Sequence, residues 1–210
     1  MLGKIILSTA YFPTVQYISK FLFPDEIYIE KYENYIKQTY RNRCNILTSN
    51  GIQSLIIPVI KKSGIKNIIT DLEIDYTVDW QSNHFKTIEA AYKSSPFFEF
   101  YIDSFMKFFQ KKYVYLFDFN FEILNTLLEE INIEKKINFT NEYIPSYDND
   151  FRTKINPKEK YKIEDKTFNQ INYTQVFEIN KNFTEELSII DVLFNEGPQT
   201  ELYLKKCINT

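Results

Sequence analysis

The chain has 210 residues, enough for one sizeable hydrophobic core with room for a small subdomain. Its 25 basic and 28 acidic side chains leave a net charge of −3, so no broad basic face is available and duplex nucleic acid is excluded as a partner. No run approaches the roughly 18 apolar residues of a membrane span, so no membrane association is expected.

Cys44 and Cys207 lie far apart and form no metal spacing; they read as reduced thiols of a cytosolic protein. The opening Met1–Pro13 has too short an apolar run for a leader and lacks a small-residue cleavage pattern. The chain is therefore read as cytoplasmic and entire. Lysine far outnumbers arginine, which occurs only at Arg41, Arg43 and Arg152. Arginine is the residue for planar, bidentate recognition, so these few positions stand out.

In chain order, Lys4–Thr9 is a short apolar run expected as a buried strand. Pro13 suits the first turn of a helix carrying Val15, Ile18, Phe21 and Leu22, and Pro24 stops it. Glu26–Glu30 alternates as a strand does. A strand–helix–strand opening points to an α/β sheet, whose ligands bind beyond the carboxyl ends of the strands. That places Tyr11 and Gln16 beside a site, with a solvated helix residue the equal alternative for Gln16.

Tyr32–Lys37 reads as a loop and the following residues as a strand, although Ile36, Tyr40, Cys44 and Leu47 also fit a helical spacing. Ser49-Asn50-Gly51 is a tight turn, with Asn-Gly supplying two positive-φ positions. Ile52–Ile60 returns as its partner, an edge or a bulge at Pro58. Asn67–Asp75 is expected as a further strand.

From Asn83 the pattern turns helical. The expected helices are Asn83–Lys93, with Phe85, Ile88, Ala91 and Tyr92 on one side; Phe97–Lys111, capped by Ser95 and opened by Pro96; and Asp118–Ile131, capped by Asp118 or Asn120, with Ile123, Leu124, Leu127 and Leu128 inward. Tyr113–Phe117 reads as a short strand. Asp148–Lys166 is polar and reads as a long exposed connection, Asn172–Ile179 as a strand or edge segment. Thr184 is expected to cap a helix that Asn195-Glu196-Gly197-Pro198 ends, before a last helix over Gln199–Lys206. The fold class is thus α/β, a single domain of 1–210: an N-terminal strand–helix–strand mixed sheet over 1–78, with a mainly helical second half over 79–210 packed on it.

Polar groups concentrate between Glu30 and Ile46. If Arg41 and Arg43 share one strand face, about 7 Å apart by strand rise, they hold one anion between them. The alternative is pairing with Glu30, Glu33 or Asp71. Asn42 offers an amide nearby, and Lys37 either assists or is simply solvated. His84 is the only histidine. It is either a general acid/base or a histidine capping or flanking a helix start. Glu30 is placed to orient a hydroxyl or a metal, without a histidine cluster for zinc. Asp191 lies in an apolar stripe and so needs a partner or a function. No phosphate-cradling glycine loop and no G-x-S-x-G elbow occurs. No cofactor is assignable, and oligomeric state is not legible.

Several blocks together resemble the WbqC-like proteins: TAYFP, the run Glu30–Arg43 (EKYENYIKQTYRNR), Asn-Gly followed by LIIPV, NHF…AAY…PFF, and the terminal LSIIDVLFNEGP. They occur in order from Thr9 to Leu204. The family opens on His-Gln-Pro-x-Tyr-x-Pro; here Leu7, Ser8 and Thr9 take the first three places and only Tyr11 and Pro13 remain. The resemblance puts the family's acidic position on Glu30, its arginine on Arg43 and its later histidine on His84. It implies a role in surface polysaccharide (O-antigen) biosynthesis, modifying amino sugars by aminoacyl or acyl transfer. The expected site is thus His84 and Glu30 as catalytic groups, with Arg41, Arg43, Tyr11, Gln16, Asn42 and Lys37 binding a small anionic or sugar-nucleotide ligand. The competing expectation is a non-catalytic binding or scaffold protein of an envelope pathway.

Overall fold

In the computed structural model, residues 3–158, 163–177 and 182–209 are described. The chain begins as β1 (Lys4–Leu7), α1 (Val15–Ser19) and β2 (Glu26–Ile29). β1 and β2 pair in parallel, Lys4 opposite Glu26 through Leu7 opposite Ile29. Pro13 lies before α1 rather than in its first turn; Thr14 caps the helix, its Oγ1 accepting from the Tyr17 N–H. β3 (Arg43–Thr48) and β4 (Gly51–Ile56) form an antiparallel hairpin. Its turn uses only one positive-φ residue, Gly51 at 101°; the Asn50 N–H is instead held by Thr48 Oγ1 at 3.2 Å.

Pro58 cannot donate to a ladder, and pairing changes there. β4 ends before it, and β5 (Val59–Ile60) pairs with β6 (Glu73–Ile74) instead. The strand expected over Asn67–Asp75 is therefore mostly a short 3-10 turn at Ile69–Asp71 followed by the two residues of β6.

The second half is helical, with α2 (Trp80–Tyr92), α3 (Phe98–Gln110), α4 (Leu116–Glu130), α5 (Ile189–Glu196) and α6 (Thr200–Lys206). Asp79 caps α2 by accepting from Ser82 N. Two expected caps are not made. Ser95 Oγ is buried without a hydrogen-bond partner among the described residues, and α4 starts two residues before Asp118, while Asn120 spends its amide on the Arg41 carbonyl. α5 is capped by Ser188, four residues after Thr184, because the segment before it is tied elsewhere: Thr184 N–H donates to Gln175. The inward residues expected on α4, Ile123, Leu124, Leu127 and Leu128, are all buried. α3 buries Phe98, Ile102, Phe105 and Phe108 at helical spacing. At the end of α5, Gly197 holds φ 54° with the Phe97 ring against its α-carbon, where a Cβ would come within 2.5 Å.

β7 (Ile137–Phe139) is the element that pattern reading missed; it extends the first sheet as β1-β2-β7, all parallel. Three residues are too few for a visible alternation. In the connection expected to be exposed, Asp148, Thr153, Glu164 and Lys166 are exposed, but Asp150 bridges to Ile6 and Phe151, Arg152 and Ile155 are buried, Arg152 being drawn in by Glu30 and Asp150. Residues 172–177 of the strand expected over Asn172–Ile179 are not in a strand, and 178–179 lie outside the described residues. One hydrophobic cluster collects side chains from Ile5 to Cys207. The architecture is α/β: small sheets of short strands with a helical second half.

Candidate functional site

Three parallel strands end side by side, and the residue after each is polar: Ser8 after β1, Glu30 after β2, Thr140 after β7. All three are buried. This is the edge of an α/β sheet where ligands bind, because strand ends and the loops that follow leave a crevice there.

Ser8 Oγ donates to Glu33 Oε2 at 3.0 Å and accepts from Arg41 Nη2 at 2.6 Å. Arg41 closes the triangle with a fork on Glu33, Nε to Oε1 at 2.8 Å and Nη2 to Oε2 at 2.5 Å. Glu30, with no exposed surface, accepts from Thr140 Oγ1 at 2.8 Å, Tyr32 N at 2.8 Å and Arg152 Nη1 at 3.1 Å. Arg152 also grips Asp150 through Nε and Nη2. Burial works against the Arg152 charge, and the Asp150 and Glu30 carboxylates outweigh it, so its pKa is raised. The two guanidinium groups line one narrow crevice with Ser8, Thr9 and Tyr40.

Tyr40 also borders a larger cavity of about 570 Å³, beside Thr14 and Gln16 of the α1 turn. Gln16 Nε2 donates to Asp165 Oδ2 at 2.9 Å. Asp165 in turn is ion-paired with Lys20, a lysine buried between the Phe151 and Phe168 rings.

His84 sits on the buried stripe of α2, four residues before Ile88. Its Nδ1 meets Tyr11 OH at 2.9 Å, and the Trp80 ring lies edge-on at 5.2 Å. Burial raises the Tyr11 hydroxyl well above its usual range, so it stays a donor. Burial pushes His84 down to about 4, partly offset by a hydrogen bond with the Ile56 main chain. The imidazole is neutral at pH 7, with Nδ1 as acceptor. Ser8 and Tyr11 lie three residues apart, so one loop touches both Arg41 and His84.

The remaining expected residues are dispersed. Arg41 precedes β3 and Arg43 begins it, so the two do not share a strand face; Arg43 is half-buried, and its Nε has no partner among the described residues. Asn42 donates to the Ile57 carbonyl at 2.8 Å, and Lys37 is exposed. Asp191 is satisfied by no base: Tyr92 and Tyr173 hydroxyls donate to it at 2.8 and 2.7 Å. Burial raises its pKa, against those donors. Burial also pushes the Cys44 thiol up, so it is no activated nucleophile. Sequence reasoning gave no role to Arg152, Thr140, Lys20 or Asp165, which have partners more than a hundred residues away in the chain, nor to Asp150, which pairs with Arg152. The one usable signal was that Arg152 is the third arginine.

The fold and this strand-end edge define an α/β protein with its polar centre beyond a short parallel sheet. The profile of the WbqC-like protein family matches residues 9–160, and the chain belongs to that family. It is 24% identical to the uncharacterised protein Rv1507c of Mycobacterium tuberculosis (strain ATCC 25618 / H37Rv), across 96% of this chain and 97% of the mycobacterial one. No solved structure matches. Among the described residues, no helix is long and apolar enough to cross a membrane.

Proposed function

We propose that the chain is a small cytoplasmic enzyme of surface polysaccharide biosynthesis, transferring an acyl or aminoacyl group to an amino sugar, free or carried on a nucleotide. The observation that supports this most is the convergence of Ser8, Glu30 and Thr140 at the parallel strand ends; Ser8 lines a narrow crevice with Tyr40, and Tyr40 also borders the 570 Å³ cavity, large enough for a saccharide. Resemblance to the WbqC-like proteins supplies the pathway and the transfer class.

In this reading Glu30 orients a substrate hydroxyl, displacing part of its hydrogen-bond shell. Tyr11 and His84 are positioning residues, since their mutual bond fixes the loop from Ser8 to Phe12. Arg41 and Arg152 hold the carboxylates in place. Their charges are already matched by Glu33, Glu30 and Asp150, which favours a neutral or cationic ligand over an anionic one. Of the other expected binding residues, Gln16 lines the larger cavity and contacts the ligand from α1.

The same matched charges favour a second reading, a binding or scaffold protein whose buried ion pairs are structural. Exposed Phe100, Val114 and Ile65 supply apolar contact surface for it. A thermal-shift screen with amino sugars and sugar nucleotides separates the two. A ligand at a hundred times its Kd adds about 2.7 kcal/mol, a rise of about 5–10 °C at this chain length. No shift with any sugar, together with unchanged behaviour of Glu30→Gln, would leave the scaffold reading standing.

A further inference from the structure

We infer that the outer edge of β4 docks a second copy of this chain, the two β4 strands pairing antiparallel about a two-fold axis at Gln53. The inference goes beyond the enzyme and scaffold readings and holds for either.

The ladder of the hairpin fixes which groups are free. Thr48 and Gly51 face each other at its turn, and past its other end the Ile57 N–H donates to the Asn42 carbonyl at 2.8 Å. Bonded pairs alternate with non-bonded ones along an antiparallel ladder. Gly51, Gln53 and Leu55 therefore bond to β3, and the main-chain groups of Ile52 and Ser54 point away from it. On β3 the matching outward groups are filled: the Tyr92 hydroxyl takes the Leu47 N–H at 3.3 Å, and the Ser188 N–H donates to the Asn45 carbonyl at 2.8 Å. The outer edge of β1 is closed as well, by Asn149 and Phe151 on the two main-chain groups of Ile6. Among the described residues, the N–H and C=O of Ile52 and Ser54 meet no partner, and both residues are exposed.

A lone strand edge is usually blunted by charge or by proline. Here residues 44–60 carry no charge in a chain that is 25% charged, and Pro58 follows β4 without interrupting it. Ile52, Ile56 and Ile60 stand out along this segment, 55, 42 and 50% exposed. Two copies of a chain of net charge −3 meet without like-charge repulsion along such an edge. The spacing of the free groups suits a copy of the same strand. With Gln53 on the axis, Ile52 faces Ser54 of the other copy, and the free N–H and C=O of each meet those of the other. The two Gln53 carboxamides face across the axis, each with a donor and an acceptor to offer. The contact is isologous and consumes one edge per copy, so it closes at two. Six residues of strand make a small interface, which sets a reversible dimer with a Kd on the order of 10 μM.

The test is sedimentation velocity of the full chain from about 1 to about 300 μM, with amide hydrogen exchange at both ends of the range. The mass should rise from 25.2 kDa to twice that, and the Ile52 and Ser54 amides should slow more than those of Gln53 and Leu55, which β3 already holds. Ser54→Pro removes an outward N–H and spares the bonds to β3, though it also loses the Ser54 Oγ bond to Asn45. Ile52→Lys puts a charge on the edge at an exposed position, and carries the test where the proline variant fails to fold. Each should weaken the dimer about tenfold or more, while Phe100→Lys, on exposed α3 surface, should leave it unchanged. A mass that stays at 25.2 kDa, a dimer indifferent to the folded edge variants, or growth beyond two copies overturns the inference. Protection of the Ile52 and Ser54 amides at every concentration without a change in mass also overturns it, since the edge is then covered within one chain.

Discussion

The most direct quantitative consequence concerns His84. In the unfolded chain its imidazole takes a proton below about 6.5; in the folded chain burial holds this off until about 4. Between those values the unfolded state binds more protons, so stability falls as the pH drops through the window. The full difference of 2.5 units is worth about 3 kcal/mol below the window, and about 2 kcal/mol is lost between about pH 7 and 5. His84→Gln keeps a hydrogen-bond acceptor for Tyr11 OH but does not titrate. Urea unfolding across this range should show wild type losing about 2 kcal/mol more than the variant. The comparison matters because carboxylates such as Asp165, held low by Lys20 after burial is overcome, also weaken the fold in acid. They do so in both proteins and cancel. As the only histidine, His84 gives one imidazole signal by NMR, and its midpoint should lie near 4. Parallel pH profiles for the two proteins, or a midpoint near the unperturbed value, would refute the burial argument.

Two further outcomes follow from the packing. Arg152→Met strands Glu30, which has no exposed surface, and should cost about 3–5 kcal/mol by urea unfolding; adding Glu30→Gln should recover part of it. Gly197→Ala puts a methyl within 2.5 Å of the Phe97 ring at φ 54°, and should lower Tm by several degrees, as expected for about 1–3 kcal/mol of strain and overpacking.

The helical half was legible because its signals are local. Ile123, Leu124, Leu127 and Leu128 share a stripe, and that spacing alone says which side is buried. His84 shares that burial with Ile88 on α2, where a histidine capping or flanking a helix start was one of the two expectations. What local pattern could not supply was β7, only three residues long, and every partner set by the tertiary fold. Ser95 and Asn120 have good capping chemistry and do not cap, because helix ends were fixed by packing around them. Arg41 was weighed between an anion and an acidic neighbour, and the neighbour Glu33 was among those named. Arg152, Asp150 and Asp165 lay in a polar stretch that looked solvated. A charged run reads the same whether its charges face water or one another.

That last ambiguity bears on what the strand-end edge can do. Glu30, Glu33 and Asp150 face Arg41 and Arg152, leaving these five groups one negative charge in excess. Buried ion pairs of this kind add little net stability compared with apolar packing, because desolvation offsets their attraction. Two of them beside one crevice are therefore weakly explained by stability. They are better explained as a means of holding carboxylate oxygens and a serine hydroxyl at fixed points. Preorganised acceptors select by hydrogen-bond geometry, and an excess of negative charge selects against anions. A free cation pair, as the spacing of Arg41 and Arg43 suggested, would have gripped a phosphate. The arrangement found instead suits hydroxyl and amine donors, which is why the amino-sugar form of the proposal fits the geometry better than a ligand recognised through its phosphates.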